Sequence, residues 1–404
     1  MQTKKRSKTH HDSMGVMGKL AMGPRNVLEY LDKISDISEK NKKSCIYIHV
    51  PFCSKICTFC SLRRNLREPT IDYHKLLIKE IENYSKIDYI NNRVFDAVYF
   101  GGGTPTTLKK ESLKQILKAL KKNLNFTDDA EFSIETTITE LTDDMIEMFK
   151  TEGINRFSVG VQTFSDRGRK ILGRKGGGDI AYKKLEKLVE EGFENINIDI
   201  IYNYNNQSKE ELLEDLYRIY DLDLAGFSLY SLINMGKLKS TEKQDLDIDK
   251  ILFDTIAYNS EKQGYNFLEL TKMTKRDKYK YIINRHNGED TLPLGAGAGG
   301  NFNNLLIMNP IDLDEYKESI YNFAEKKGML FNPKYNEYIK IKGDIQRGIL
   351  PTDYSLVKNK EKILSFIDDT IDKGLAVKKD DNIFLTKAGI FWGNNISKNF
   401  LNLL

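Results

Sequence analysis

An α/β fold, a partial (β/α)6 barrel followed by a C-terminal winged-helix-like α+β domain, is what the sequence predicts, and three observations carry the prediction. Short apolar runs rich in β-branched residues alternate about six times with helical stretches between residues 44 and 232. That rhythm calls for parallel strands joined by right-handed crossovers. Polar and glycine-bearing residues gather where the strands end. Beyond residue 330 the order changes to helix, ribbon, helix.

Residues 1–43 read as an N-terminal arm, polar and Gly/Met-bearing over residues 1–24 and expected to be mobile there. The barrel core, 44–240, opens with CIYIHV (45–50), a short buried strand. Cys45 reads as a core thiol, since free cysteine packs as a small hydrophobe. Residues 70–91 carry helical spacing through Leu76, Leu77, Ile81 and Tyr84. FDAVYF (95–100) is a strand running into Gly101-Gly102-Gly103, followed by a helix over 110–123, a strand over 131–137 and a helix over 142–152. Strand 156–163, helix 179–192, strand 195–202, helix 208–221 and strand 226–232 complete the alternation. A barrel extension, 241–330, holds a helix over 245–264 and the Gly-rich loop RHNGEDTLPLGAGAGG (285–300). The C-terminal domain, 331–404, has a helix over 359–373, a ribbon around DNIFLT and a last helix from Lys387. In barrels of this kind chemistry sits at the C-terminal ends of the strands. The cysteine loop, the glycine triplet, Glu135, Gln162 and Asp199 fall there.

Composition excludes several classes. Hydrophobic residues at 40% and aromatic residues at 10% rule out disorder as the main state. The 62 basic and 58 acidic residues leave a charge of +4, scattered rather than clustered. No nucleic-acid partner is therefore expected, despite the winged tail. No apolar run approaches the ~18–20 residues of a membrane span, and MQTKKRSKTHHDSM lacks the apolar core of a signal peptide. A cytoplasmic protein without a membrane partner is the expectation.

Three of four cysteines, Cys53, Cys57 and Cys60, fall within eight residues. Three thiolates from one loop can hold three irons of a [4Fe–4S] cube and leave the fourth iron open to a ligand. A zinc site would more naturally recruit a fourth Cys or His. Glu135 and Asp199 can accept hydrogen bonds at strand ends, and Arg174 can pair with an anionic group bidentately. Each alone could equally be an ion pair or a cap, and the Gly triplet alone a tight turn; the joint order at strand ends points to a site.

Cys53-Ser-Lys-Ile-Cys57-Thr-Phe59-Cys60 resembles the cysteine motif of radical S-adenosylmethionine (SAM) enzymes. YIHVPFC (47–53), GGGTPT (101–106), SIETT (133–137), GVQTF (160–164), GRKG (173–176) and NIDIIY (197–202) occur in order over residues 44–300. Together they resemble the subgroup of oxygen-independent coproporphyrinogen III oxidase and its relatives. The resemblance implies a [4Fe–4S] cluster and two SAM molecules. Tyr47, Phe59, Gly102 and Glu135 would touch the cluster-bound SAM, with His49 close behind. Gly103, Thr104, Gln162, Arg174 and Asp199 would touch the second SAM.

Within the subgroup, the oxidase carries a further cysteine where this chain has Leu62. The haem-chaperone relatives carry His-Asn and then a Tyr-Trp pair, whereas His286-Asn287 is followed here by Gly-Glu-Asp-Thr. LPLGAGAGG (292–300), CTFC (57–60) and Asn65 are similar to the anaerobic haem-degrading methyltransferases, the anaerobilin synthases. That likeness implies a radical SAM methyltransferase that opens the porphyrin ring of haem, releases iron and takes electrons from a flavodoxin-like donor. The alternatives are oxidative decarboxylation of coproporphyrinogen III and a non-catalytic haem chaperone. For haem or a related tetrapyrrole, His286, Asn287 and Tyr202 are the candidate substrate contacts, with Tyr204 nearby; for the two tyrosines core packing is the equal alternative. Met14, Met17 and Met22 either cover the macrocycle or belong to a linker; His10 and His11 read as a solvated tail and His74 as a surface residue.

Overall fold

A computed structural model describes residues 6–7, 14–34, 43–55, 57–60, 72–232, 245–352, 355–356 and 360–404. Leu62, Asn65, His10 and His11 lie outside the described residues. The barrel strands are β2 (Lys43–Val50), β3 (Val94–Gly102), β4 (Phe126–Thr137), β5 (Arg156–Gln162), β6 (Asn195–Tyr202) and β7 (Gly226–Ser231), following β1 (Ala21–Asn26) in the chain. After them come β8 (Asn266–Glu269), β9 (Lys272–Thr274), β10 (Asp290–Leu294), β11 (Gly299–Phe302), β12 (Leu305–Met308) and β13 (Lys327–Phe331). All thirteen form one sheet, in the order β1-β13-β12-β11-β10-β2-β3-β4-β5-β6-β7-β9-β8. β10 and β2 through β7 run parallel, each to its neighbour, so their C-terminal ends share one rim.

Two-residue alternation sorts each barrel strand. Ile196, Ile198, Ile200 and Tyr202 of β6 join the main core, beneath the helices Gly178–Glu190 and Lys209–Asp221, whereas Asp199 and Ile201 face a cavity at the rim. On β2, Ile46, Ile48 and Val50 belong to that core, while Cys45 and Tyr47 pack with Ala97, Tyr99 and Tyr281. Cys45 is fully buried, and burial pushes its thiol up to about 12, so it is an inert packing group.

The sequence reading is corrected at several points. The early part of the chain is not all unstructured: β1 pairs antiparallel with β13, and the helix Val27–Lys33 buries Val27 and Leu31. Residues 285–300 are not simply a loop. Asp290–Leu294 is a seventh parallel strand on β2, and Gly299–Phe302 turns back as β11. Pro293 hid the strand, since proline normally argues against an interior one. His74 is buried on the helix Tyr73–Tyr84, with Nδ1 3.3 Å from Ser112 Oγ, rather than on the surface.

The C-terminal domain has helices Lys334–Gln346 and Lys360–Asp372 and an antiparallel sheet of β14 (Ile349–Leu350), β16 (Asn382–Leu385) and β15 (Ala376–Lys379). The short helices Lys387–Phe391 and Gly393–Leu401 end the chain. Among the described residues no helix is long and apolar enough to cross a membrane.

Candidate functional site

A cavity of about 430 Å³ opens at the C-terminal rim of the parallel strands. It brings together Cys53, Cys57, Phe59, Cys60, Gly102, Gly103, Thr104, Glu135, Gln162, Arg174 and Asp199, residues spread over nearly 150 positions of the chain.

The cysteine side is built mainly from backbone. β2 ends at Val50, and the chain turns through Phe52, buried in the core, into the cysteine loop. Gly103 N donates to Val50 O and Thr104 N to Phe52 O, each at 2.8 Å, so the glycine turn is laced to the loop entry. A Cβ on Gly103 would stand 2.3 Å from Phe52 O, closer than a side chain can come, and 3.0 Å from Cys53 Sγ. Gly102 holds φ +113°, a conformation that favours glycine, with the His49 ring against it. Tyr47 does not line the cavity; it stacks on Tyr281 and Tyr99, and its hydroxyl lies 2.8 Å from His49 Nδ1. Burial lowers the His49 imidazole to about 4, which keeps it neutral.

Glu135 stands near the end of β4, between the two sides. It accepts from Tyr99 Oη at 2.7 Å and from Gly102 N at 3.2 Å. Burial, with the like charge of Asp199, pushes its carboxyl up to about 7 against those two hydrogen bonds. Burial likewise raises the Asp199 carboxyl, opposed by Lys272 and a hydrogen bond from Ser228.

The opposite side is built from side chains. Gln162 holds φ +68°, a costly backbone for a residue with a Cβ, and its Oε1 is buried without a hydrogen-bond partner. Arg174 Nη1 donates to Cys57 Sγ at 3.2 Å, and Nη2 donates to Gly160 O. Phe59 packs against Leu172, Ile201, Tyr204 and Leu232, closing the cysteine loop onto the β5 and β6 ends.

The residues present fit a cluster and a polar organic ligand. Three thiols from one loop open onto one cavity, the donor set that three corners of an iron–sulfur cube require. The orphaned Gln162 oxygen calls for a donor from a bound molecule.

The three expected substrate contacts stand elsewhere. Tyr202 is fully buried on the helix side of β6, where its hydroxyl accepts from Arg6 at 2.9 Å. It sits one residue out of phase with Ile201, which does face the cavity. His286 and Asn287 end the helix Lys280–His286, just before β10 starts and so at the rim opposite the cavity. His286 Nε2 lies 2.6 Å from Glu269 Oε1. Met17 is partly buried against the core and Met22 is 56% exposed on β1. The cavity adds residues the motifs did not mark: Tyr230, Ser231 and Arg169. Tyr230 was findable, because it pairs with Ile201 in register and shares its inward face; Arg169 had no local signature.

The Radical SAM superfamily model matches residues 47–216. The chain is 28% identical over 385 residues to "Anaerobilin synthase" of Escherichia coli O157:H7, covering 90% of this chain and 85% of that protein. It is 28% identical over 385 residues to "Heme chaperone HemW" of Lactococcus lactis subsp. lactis, covering 89% and 98%. To "Oxygen-independent coproporphyrinogen III oxidase" of Escherichia coli (strain K12) it is 27% identical over 300 residues, covering 68% and 65%. It shares the fold of the solved coproporphyrinogen III oxidase from Escherichia coli, with a TM-score of 0.76 over 93% of each chain at 23% identity.

Proposed function

This chain belongs to the Radical SAM superfamily, and on that premise we propose that it is a methyltransferase that opens the porphyrin ring of haem, releasing iron and giving a methylated linear tetrapyrrole. The family implies a [4Fe–4S] cluster and SAM, and a tetrapyrrole substrate follows from relatives named for haem and coproporphyrinogen. The observation that carries the finer reading is one cavity in which the three thiols share the lining with four polar side chains, Glu135, Gln162, Arg174 and Asp199. A methyltransferase of this kind needs one SAM for radical chemistry and another as methyl donor, and four such polar groups suit two such molecules. Leu62 in place of the oxidase's additional cysteine supports the same choice.

Cys53, Cys57 and Cys60 would hold the cluster. When bound, the cluster and SAM supply reductive cleavage of a sulfonium and with it a radical initiator. Glu135, ionised above about pH 7, accepts the ammonium of the first SAM. Gln162 Oε1 takes a donor from the second molecule, Arg174 pairs with its carboxylate and Asp199 accepts its ribose hydroxyls. Ile138, Ile201, Tyr230 and Leu232 give the cavity lining apolar surface that would face a flat ring and exclude water. A flavodoxin-like protein supplies the electron.

Anaerobic incubation of reconstituted protein with haem, a reductant and methyl-deuterated SAM tests this reading by product mass spectrometry. A labelled, ring-opened product is expected. Unchanged haem alongside normal 5′-deoxyadenosine formation overturns the substrate. Stable haem binding without 5′-deoxyadenosine favours the chaperone, and protoporphyrinogen made from coproporphyrinogen favours the oxidase.

A further inference from the structure

Arg174 touches the cysteine loop from outside it. One guanidinium nitrogen donates to Cys57 Sγ at 3.2 Å, while the other is anchored on Gly160 O at the end of β5. The segment that carries Arg174 is itself tied down. Arg169, 1% exposed, donates to the carbonyls of Val161 at 2.9 Å, Thr163 at 3.1 Å, Lys175 at 2.7 Å and Gly176 at 2.8 Å. Thr58 Oγ1 donates to Ile171 O at 3.3 Å, and a Cβ on Gly173 would stand 3.2 Å from Thr58 Cγ2. A cation and an N–H donor are therefore held on one thiol by a scaffold built outside the thiol's own loop and joined to it at Thr58.

Hydrogen bonds to the sulfurs and local charge set the potential of an iron–sulfur cluster. The reduced cluster carries one more negative charge than the oxidised one, so a fixed cation and donor stabilise it more. We propose that Arg174 raises the reduction potential of the cluster through its N–H···S bond to Cys57, a role separate from pairing with a ligand carboxylate. This rests on Cys57 being a cluster ligand. The step is a single electron entering the cluster from the external reductant, with no bond made or broken.

The test is an anaerobic redox titration, followed by electron paramagnetic resonance, of the reconstituted full chain without SAM. Iron and sulfide content is measured on each sample. At the wild-type midpoint, the reduced-to-oxidised ratio of Arg174→Gln is expected to fall about tenfold, which is 59 mV for a one-electron couple. Arg174→Lys keeps the charge but loses the two-pronged anchor, and a smaller shift in the same direction is expected. Gly173→Ala, strained at φ +67° and crowding Thr58, serves if Arg174→Gln does not hold a cluster, and it too should lower the ratio. Fully loaded Arg174→Gln that titrates with wild type overturns the proposal, as do Arg174→Lys and Gly173→Ala both titrating with wild type. Wild-type protein that takes up no iron overturns the cluster reading itself, a failure the iron assay identifies separately.

Discussion

Across the cavity, the wall beside β2, β3 and β10 and the wall beside β5 and β6 are held in opposite ways. The first is backbone braced by a buried charge. Glu80, fully buried, accepts from Gly295 N at 2.8 Å, Tyr316 Oη at 2.7 Å, Asn309 Nδ2 at 2.9 Å and Lys326 Nζ at 3.1 Å. Tyr73 Oη donates to His49 O at 2.7 Å and accepts from Ala296 N at 2.9 Å. The brace therefore runs from Glu80 through Gly295 to His49, whose ring lies on Gly102. The second wall is side chains on strained backbone. Asp215 Oδ1 accepts from Phe164 N at 2.6 Å and Thr163 Oγ1 at 3.1 Å, its Oδ2 is buried without a partner, and Gln162 stays left-handed. Around Glu80 and Tyr73 the first wall meets its hydrogen bonds internally. The second keeps strain and an unmet acceptor at Gln162, in the cavity lining where a ligand can supply a donor, and a further unmet acceptor at Asp215, outside that lining.

Glu80→Ala breaks this contrast most severely, because it leaves Lys326 buried without its carboxylate. A loss of about 3–5 kcal/mol is expected in urea unfolding, and an unchanged midpoint would remove the brace.

Asp215 gives the second wall a pH signature. Burial raises its carboxyl to about 7 in the folded chain, whereas an unfolded Asp releases its proton near pH 4. The folded state thus binds more protons between those values, so stability from this group falls as pH rises from about 4 to about 7. Asp215→Asn should reduce that slope in unfolding experiments, leaving the part that Glu135 contributes over the same interval; an unreduced slope assigns it elsewhere.

Arg6 tests whether the second wall leans on the C-terminal domain. It donates to Tyr202 Oη and Asp249 Oδ2, both at 2.9 Å, and to Phe391 O at 2.8 Å, and Asp249 also accepts from the cavity residue Ser231 at 2.7 Å. Arg6→Ala should cost about 1.5–3 kcal/mol, the scale of hydrogen bonds to charged groups, read as a lower thermal midpoint.

Gln162→Gly sharpens the comparison with the smallest effect. Relief of the left-handed backbone should stabilise the chain by roughly 1 kcal/mol, while SAM affinity measured by equilibrium dialysis falls. Gain of stability without loss of affinity would detach Gln162 from the second ligand.

The alternating strands and helices were legible because each barrel strand is a short β-branched run closed by polar or glycine residues. IDII in β6 and VYFGG in β3 show the pattern directly. Cys53, Cys57, Cys60 and the glycine turn were legible because their chemistry is local in sequence. β10 was not, since an isolated DTLPL becomes a strand only by pairing with β2. Tyr202 takes its core alternative, one position out of phase with the cavity, and His286 stands at the opposite end of the barrel.

Residue chemistry and spacing by themselves determined the thiol trio, the parallel alternation and the rim on which the site stands, because handed crossovers leave strand ends little freedom. Only the tertiary structure decided which inward residues meet across the barrel. It set Arg174 on Cys57, Glu80 behind Gly295 and Tyr230 beside Ile201. Those contacts join segments far apart in the chain, and strand register and buried charge select them where local sequence pattern does not.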